Sequence, residues 1–379
     1  MTPALSSFEQ PGCDAFREEV RAFISAAIPA EWHHRDALPH EHLLEMRREW
    51  ERSVFAAGFA GLSWPAEHGG RGLGPIEELI YYEEAGRAHA PDELNSIGKY
   101  VSGPSIMAHG TVEQQRRYLP RILAAEEIWC EGFSEPDAGS DLAAASTRAV
   151  PDGEQYRLVG RKIWTSNAHL ADRCYLLAKT SQEAPRHHNL SMFLVDMHQS
   201  GIEIVPIRQI TGESEFNEVL FDGAVVSRED LLGEENDGWR LASVTGFRSA
   251  RQAISSLRRY VQIREWLDLL TSCCGRTGVV PDSELADLQA RGEVVRWHAM
   301  RTIELMVNEA SWYPTACVLQ LWWSGVMQDV TERGMLTGCP FHRHFWRQSF
   351  LETRAASIYG GTSQIQRNVV ADRVLGLPR

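Results

Sequence analysis

Two stretches carry residue types suited to redox chemistry: residues 129–141 read WCEGFSEPDAGSD, and residues 160–167 read GRKIWTSN. Between them they supply hydroxyls at Ser134, Ser140, Thr165 and Ser166, a tight turn around Gly139, and the indole of Trp164. Hydrogen-bond donors beside a flat apolar face suit a flavin ring, because the charge that arrives on reduction has to be held. A redox cofactor is therefore the first expectation. The G-x-G-like piece GGRGLG at 69–74 lacks a preceding strand and a following helix in the timing of a dinucleotide fingerprint, so it reads as a loop.

The chain that must position these residues has 379 residues and a formal charge of -13. That length allows two or three structural units. The acidic balance argues against binding a phosphate backbone, which rests on Lys and Arg. No run of about 18 apolar residues occurs, so no membrane span is expected. The first residues, MTPALSSFEQPGCDAF, lack a basic start followed by an apolar run, and the seven cysteines are scattered. A cytoplasmic protein without a disulfide framework is expected. No metal site is expected either, since there is no C-x-x-C pair and Cys273 and Cys274 read as small apolar helix residues. The segment HHRDALPHEH, with His33, His34, His40 and His42, reads as a solvated loop. The twelve tryptophans, Trp322 and Trp323 among them, read as core and interface packing, with an aromatic substrate lining as the alternative.

Apolar residues at i, i+3, i+4 spacing predict helices from Ala15 to about Leu123. Short runs such as QYRLVGRKIWTS, RCYLLAKT and LSMFLVDM then predict strands of a small barrel or sandwich, with SQEAPRHHN at 181–189 as an exposed hairpin loop. From Gly238 the helical period returns and persists. The expected partition is a helical domain at 1–125, a β domain at 126–236 and a helical domain at 237–379.

This order, together with FSEPDAGSD, GLSWPAEHGGRGLG, GRKIWTSN and the C-terminal IYGGTSQIQRNVVADRVLGLPR, resembles the acyl-CoA dehydrogenase family over nearly the whole chain. The resemblance implies an α+β subunit: an N-terminal α-helical domain, a central β-barrel-like domain and a C-terminal four-helix bundle. It implies FAD between the β domain and the bundle, in a homodimer or homotetramer. By similarity, Phe133, Ser134, Gly139, Trp164, Thr165 and Ser166 serve the flavin ring, with Ser134 and Ser166 near N5 and O4. Ser140 matches a contact to the pantetheine arm of coenzyme A. Gly361, Thr362 and Gln364 belong with the FAD phosphates, where glycine leaves room for close approach, and Gln366 is a further candidate.

Desaturating an acyl thioester needs a base for the α-proton, ordinarily Glu. One family position for that Glu is occupied by Gly360; the other falls on Ser249, or on Phe247 if the arginine that follows it in the family is matched to Arg248, within GWRLASVTGFRSARQ. Neither alignment supplies a carboxylate, and an unassisted serine is a very poor base. Glu304 and Glu309 on a later helix are the replacements considered, with solvent-facing charge as their default role. Three readings follow. The favoured one is a monooxygenase that uses FADH2 and O2 to hydroxylate a small organic substrate, aromatic ones included, with a separate flavin reductase. The second is an acyl-CoA dehydrogenase with a relocated base, served by an electron-transfer flavoprotein. The third is a base-less subunit of a heteromeric acyl-CoA dehydrogenase whose other chain carries the glutamate.

Overall fold

The computed structural model describes residues 11–243, 251–308 and 310–378. Five helices come first: α1 (Pro11–Ala27), α2 (His40–Ala56), α3 (Pro75–Arg87), α4 (Gly103–His109) and α5 (Val112–Leu123). Eight strands follow: β1 (Trp129–Gly132), β2 (Arg148–Asp152), β3 (Gln155–Ser166), β4 (Arg173–Lys179), β5 (Leu190–Asp196), β6 (Ile202–Ile207), β7 (Phe216–Ser227) and β8 (Leu231–Leu232). The chain closes with α6 (Gly238–Leu241), α7 (Arg251–Thr277), α8 (Asp282–Val307), α9 (Tyr313–Leu336), α10 (Arg343–Thr353) and α11 (Ser363–Arg373). The mixed α+β architecture expected from the residue pattern is the one observed.

The strands form a single eight-stranded sheet in the order β6-β7-β3-β2-β4-β5-β8, with β1 pairing parallel to β4. Strands β4 and β5 are buried along nearly their whole length, so they read LLA and MFLV without polar alternation. Their connection is the 181–189 segment, largely exposed as expected for a hairpin loop. The sheet core gathers Tyr156, Leu158, Leu176, Phe193, Val219 and Phe221.

By contacts the chain divides into two compact units. One takes Ile28–Gly72 and Pro91–Ser249, and so holds the sheet together with α2, α4 and α5. There the N-cap Thr111 and Gln114 cap α5 reciprocally at 3.0 and 3.1 Å, and the Gln114 amide donates to the carbonyls of Glu229 and Leu231. Asn95 is wholly buried and donates to the Ile122 and Glu127 carbonyls while accepting from the Trp129 N–H, which fixes the entry into β1. The buried Lys99 ammonium lies 2.6 Å from Glu51 and 3.1 Å from Glu93. Burial opposes its charge, but the two carboxylates outweigh that and raise its pKa.

The other unit takes Met1–Ala27, Leu73–Ala90 and Ala250–Arg379. Helices α7, α8 and α9 pack around Ile263, Leu267, Val295, Ile303, Val326 and Val330. Helix α3 adds Leu79 to this core, and Arg17 and Arg21 of α1 pair with Glu83 and Glu84 on α3. Two N-terminal helices therefore share a unit with the C-terminal ones, a long-range association that local periodicity does not encode.

Three details differ from, or refine, the expectations. Residues Ala30–Ala37 form 3-10 turns, and His40 begins α2, so the histidine-rich segment is helical rather than a loop; His33, His40 and His42 are exposed, and His42 sits 2.9 Å from Glu31. The GGRGLG piece is a loop closed by the Gly72 N–H donating to the Trp64 carbonyl at 2.8 Å. Seven of the tryptophans are buried, whereas Trp164, Trp297 and Trp322 are exposed. Among the described residues no helix is long and apolar enough to cross a membrane.

Candidate functional site

The residues expected around a flavin ring sit on two adjoining pieces of the β unit, the loop after β1 and the end of β3. A buried ion pair joins them. Lys162, fully buried on β3, donates to Glu135 at 2.8 Å and to the Phe133 carbonyl at 2.9 Å. One residue on, the Ile163 N–H donates to the Ser134 carbonyl at 2.9 Å. Glu135 also accepts from the Ser146 N–H and hydroxyl and from the Thr147 N–H, all at 2.7–2.9 Å. Burial resists ionising Glu135, yet Lys162 and these donors prevail and hold its carboxyl at about 2. This carboxylate is fully engaged as scaffold. Burial pulls the Lys162 pKa down, and Glu135 offsets it only in part.

The end of β3 is irregular. Its register against β7 shifts between Lys162 and Thr165, and within that bulge Trp164 adopts a left-handed backbone, φ +59°. Such a conformation is unusual for a bulky residue and marks a site held by its surroundings. The bulge turns the indole outward: Trp164 is 54% exposed and touches Phe216 edge-on at 6.1 Å. Thr165 is buried, its carbonyl accepts from the Asn217 amide, and its hydroxyl has no hydrogen-bond partner among the described residues. Ser134 and Ser166 are half-buried, and Phe133 is buried with its ring 5.7 Å from that of Tyr175. Gly139 and Ser140 are exposed; among the described residues nothing crowds a Cβ at Gly139, and its φ is not left-handed, so no contact with them demands glycine there. The neighbouring Asp141 pairs with Arg186.

The C-terminal group belongs to the helical unit. Gly360 and Gly361 are exposed with φ of +68° and +97°, and a Cβ on Gly361 would come within 2.7 Å of Gln366. The Gln366 amide, from the second turn of α11, donates to the Gly360 carbonyl at 3.0 Å and the Gly361 carbonyl at 3.4 Å. Its own Oε1 is buried with no hydrogen-bond partner among the described residues. Thr362 caps α11 by accepting from the Ile365 N–H, and Gln364 is exposed. The left-handed backbone at Gly360 suits glycine and would strain a glutamate.

Of the replacement bases considered, Glu304 is 14% exposed on α8 and paired with Arg301 at 2.7 Å, a structural ion pair. Glu309 and the stretch from Phe247 through Arg248 and Ser249 to Ala250 lie outside the described residues. Neither Lys162 nor Glu135 stands out in the sequence, since isolated charges ordinarily mark surface. The only hint is that Lys162 falls between apolar positions of a strand. A second unforeseen cluster, in the helical unit, brings together Cys273, Cys339 and His342.

An exposed indole beside hydroxyls, on a backbone wired from behind by a buried charge pair, is able to cover and hydrogen-bond a planar ring. Together with the helical, β, helical order of elements, that defines a flavin-dependent oxidoreductase. The chain belongs to the acyl-CoA dehydrogenase family: family models match residues 11–126 (N-terminal domain), 130–224 (middle domain) and 236–375 (C-terminal domain). It is similar to acyl-CoA dehydrogenase IpdE1 of Mycobacterium tuberculosis, 39% identical over 97% of this chain and 98% of the relative, and to IpdE1 of Mycolicibacterium smegmatis, 38% identical over 96% and 97%. Among solved structures it resembles the Tcur3481-Tcur3483 steroid ACAD, with TM-score 0.84 and 25% identity over 98% of this chain and 99% of the other. It also resembles the ChsE4-ChsE5 complex from M. tuberculosis, with TM-score 0.79 and 25% identity over 98% of each chain. These relatives favour the dehydrogenase alternative over the oxygenase reading.

Proposed function

We propose that this chain is one subunit of a heteromeric acyl-CoA dehydrogenase that desaturates the coenzyme A thioester of a bulky, steroid-like acyl group, with the α-proton base supplied by a second, homologous chain. One observation carries this reading: the flavin-gripping residues are kept while both family positions for the base, Gly360 and the Phe247–Ala250 stretch, hold no carboxylate. The similar Tcur3481-Tcur3483 steroid ACAD and ChsE4-ChsE5 complex, each named for two chains, support a hetero-oligomer, and the first of them supports a steroid-type substrate.

FAD fits the residues present. The Thr165 hydroxyl and Gln366 Oε1 are buried with no hydrogen-bond partner among the described residues, Trp164 offers a flat face, and the turn at Gly360 and Gly361 has no side chain to obstruct a phosphate. Bound FAD would supply the acceptor for the hydride that leaves the substrate's β-carbon. The protein's part is to seat the ring through Ser134, Thr165 and Ser166, cover one face with Trp164, and hold the pantetheine arm at Ser140. The indole also excludes water, which strengthens every polar contact beneath it. Ser134 and Ser166, as donors near N5 and O4, would stabilise charge arriving on the ring.

The test is anaerobic mixing of the FAD-loaded chain with steroid-side-chain acyl-CoA thioesters, alone and as the complex isolated through a tag on this chain. The expected result is no flavin bleaching by the isolated chain and rapid bleaching with enoyl-CoA product by the complex. Rapid bleaching by the chain alone would refute the shared site. A long-lived oxygen adduct on the reduced flavin would refute dehydrogenation in favour of hydroxylation.

A further inference from the structure

The helical unit contains a cluster that includes none of the residues proposed to bind the flavin. Cys273 comes from α7, Cys339 from the turn after α9, and His342 from the N-cap of α10; their Sγ, Sγ and imidazole nitrogen atoms all lie within 4.8 Å of one another. Both thiols are 1% exposed, while the histidine is half-buried. Local structure presents the C-x-x-H pair firmly. Gly338 turns the chain with φ +60°, the Thr337 hydroxyl donates to the Gly334 carbonyl at 2.7 Å and accepts from the Cys339 N–H at 3.3 Å, and the His342 N–H donates to the Cys339 carbonyl at 3.3 Å.

His342 Nδ1 lies 3.4 Å from the Cys273 sulfur and 3.5 Å from the Cys339 sulfur. A zinc ion can serve all three. With Zn–S of about 2.3 Å and Zn–N of about 2.0–2.1 Å, a tetrahedral angle places S and N about 3.6 Å apart, close to both observed spans.

We propose that Cys273, Cys339 and His342 form a Zn2+ site that clamps α7 to the α9–α10 turn, with water in the fourth position on the half-buried histidine side. Binding releases two protons as two S–H bonds are replaced by two Zn–S bonds, and neither sulfur changes oxidation state. Charge selects the metal. Two thiolates and a neutral imidazole cancel Zn2+, whereas Cu+ in the same ligands would bury a net negative charge.

The test uses the protein in whatever assembly it is isolated, chelator-stripped, kept reduced and titrated with Zn2+ against a chromogenic competitor, then with Co2+ as a spectroscopic probe. One Zn2+ per chain is expected, with a thiolate-to-Co2+ charge-transfer band in the near ultraviolet. Cys339→Ser and His342→Ala should each weaken Zn2+ by more than the about 10–100-fold that loss of a supporting contact costs. Failure to bind, binding without the charge-transfer band, or an affinity in both variants unchanged from that of the unsubstituted protein would each overturn the site. So would a Cys273–Cys339 disulfide in protein isolated without reductant. The Co2+ spectrum needs no variant, so a substitution that fails to fold leaves the proposal open to refutation.

Discussion

The β-unit group and the C-terminal turn are both candidate flavin-binding elements, yet they are supported by opposite means. Behind Phe133, Ser134 and Trp164 lies a charge pair, Lys162 with Glu135, both almost fully buried. Behind Gly360 and Gly361 lies a neutral amide, Gln366, aided by the Gln320 amide at 3.4 Å from the Tyr359 carbonyl. A buried ion pair is rigid while complete and costly once one partner is removed; an amide that hydrogen-bonds carbonyls fails gently. If the proposed FAD site is right, the ring seat is rigid before a ligand arrives, and the phosphate side is supported without a charge that would compete with an anion.

The sharpest way to break that contrast is Glu135→Gln, which strands the Lys162 ammonium in the interior. Denaturant unfolding should show a loss of about 3–5 kcal/mol; a loss below about 1 kcal/mol would mean the pair is no scaffold. The same pair sets an acid limit. Because the folded-state value for Glu135 is about 2 against an ordinary 4.5, its stabilisation is complete above 4.5 and drains away as pH falls toward 2. Gln366→Leu should do less, weakening FAD affinity about 5–30-fold for about 1–2 kcal/mol, with unfolding nearly unchanged. An unfolding loss as large as that of the Glu135 variant would erase the distinction between the two supports. Smallest of all, Thr165→Val removes a hydroxyl that has no hydrogen-bond partner among the described residues. Stability without FAD should hold or rise slightly, while calorimetry with FAD should show a loss of about fivefold, near 1 kcal/mol. A destabilised FAD-free protein would show that the hydroxyl already has a partner.

What could be recognised from residues alone was what chemistry concentrates into short stretches. Ser134, Trp164, Ser166 and the Gly360–Thr362 turn lie within motifs whose residue types declare a ligand, and the helix and strand periods sort the chain into its elements. The support was hidden because it joins distant charges: Glu135 and Lys162 are 27 positions apart. The Trp164 bulge was equally hidden, since an aromatic near a strand end looks like ordinary alternation until the register is known. The cysteine cluster escaped because 66 residues separate Cys273 from Cys339 and no C-x-x-C pair announces it.

The outward pose of Trp164 has a practical consequence. An indole more than half in water, held by a bulge rather than free to fold back, emits at longer wavelength than the buried tryptophans around it. Trp297 and Trp322 share that red-edge light, so a planar chromophore stacking on Trp164 extinguishes one part of it, and the size of that loss gauges how fully the Trp164 face is covered.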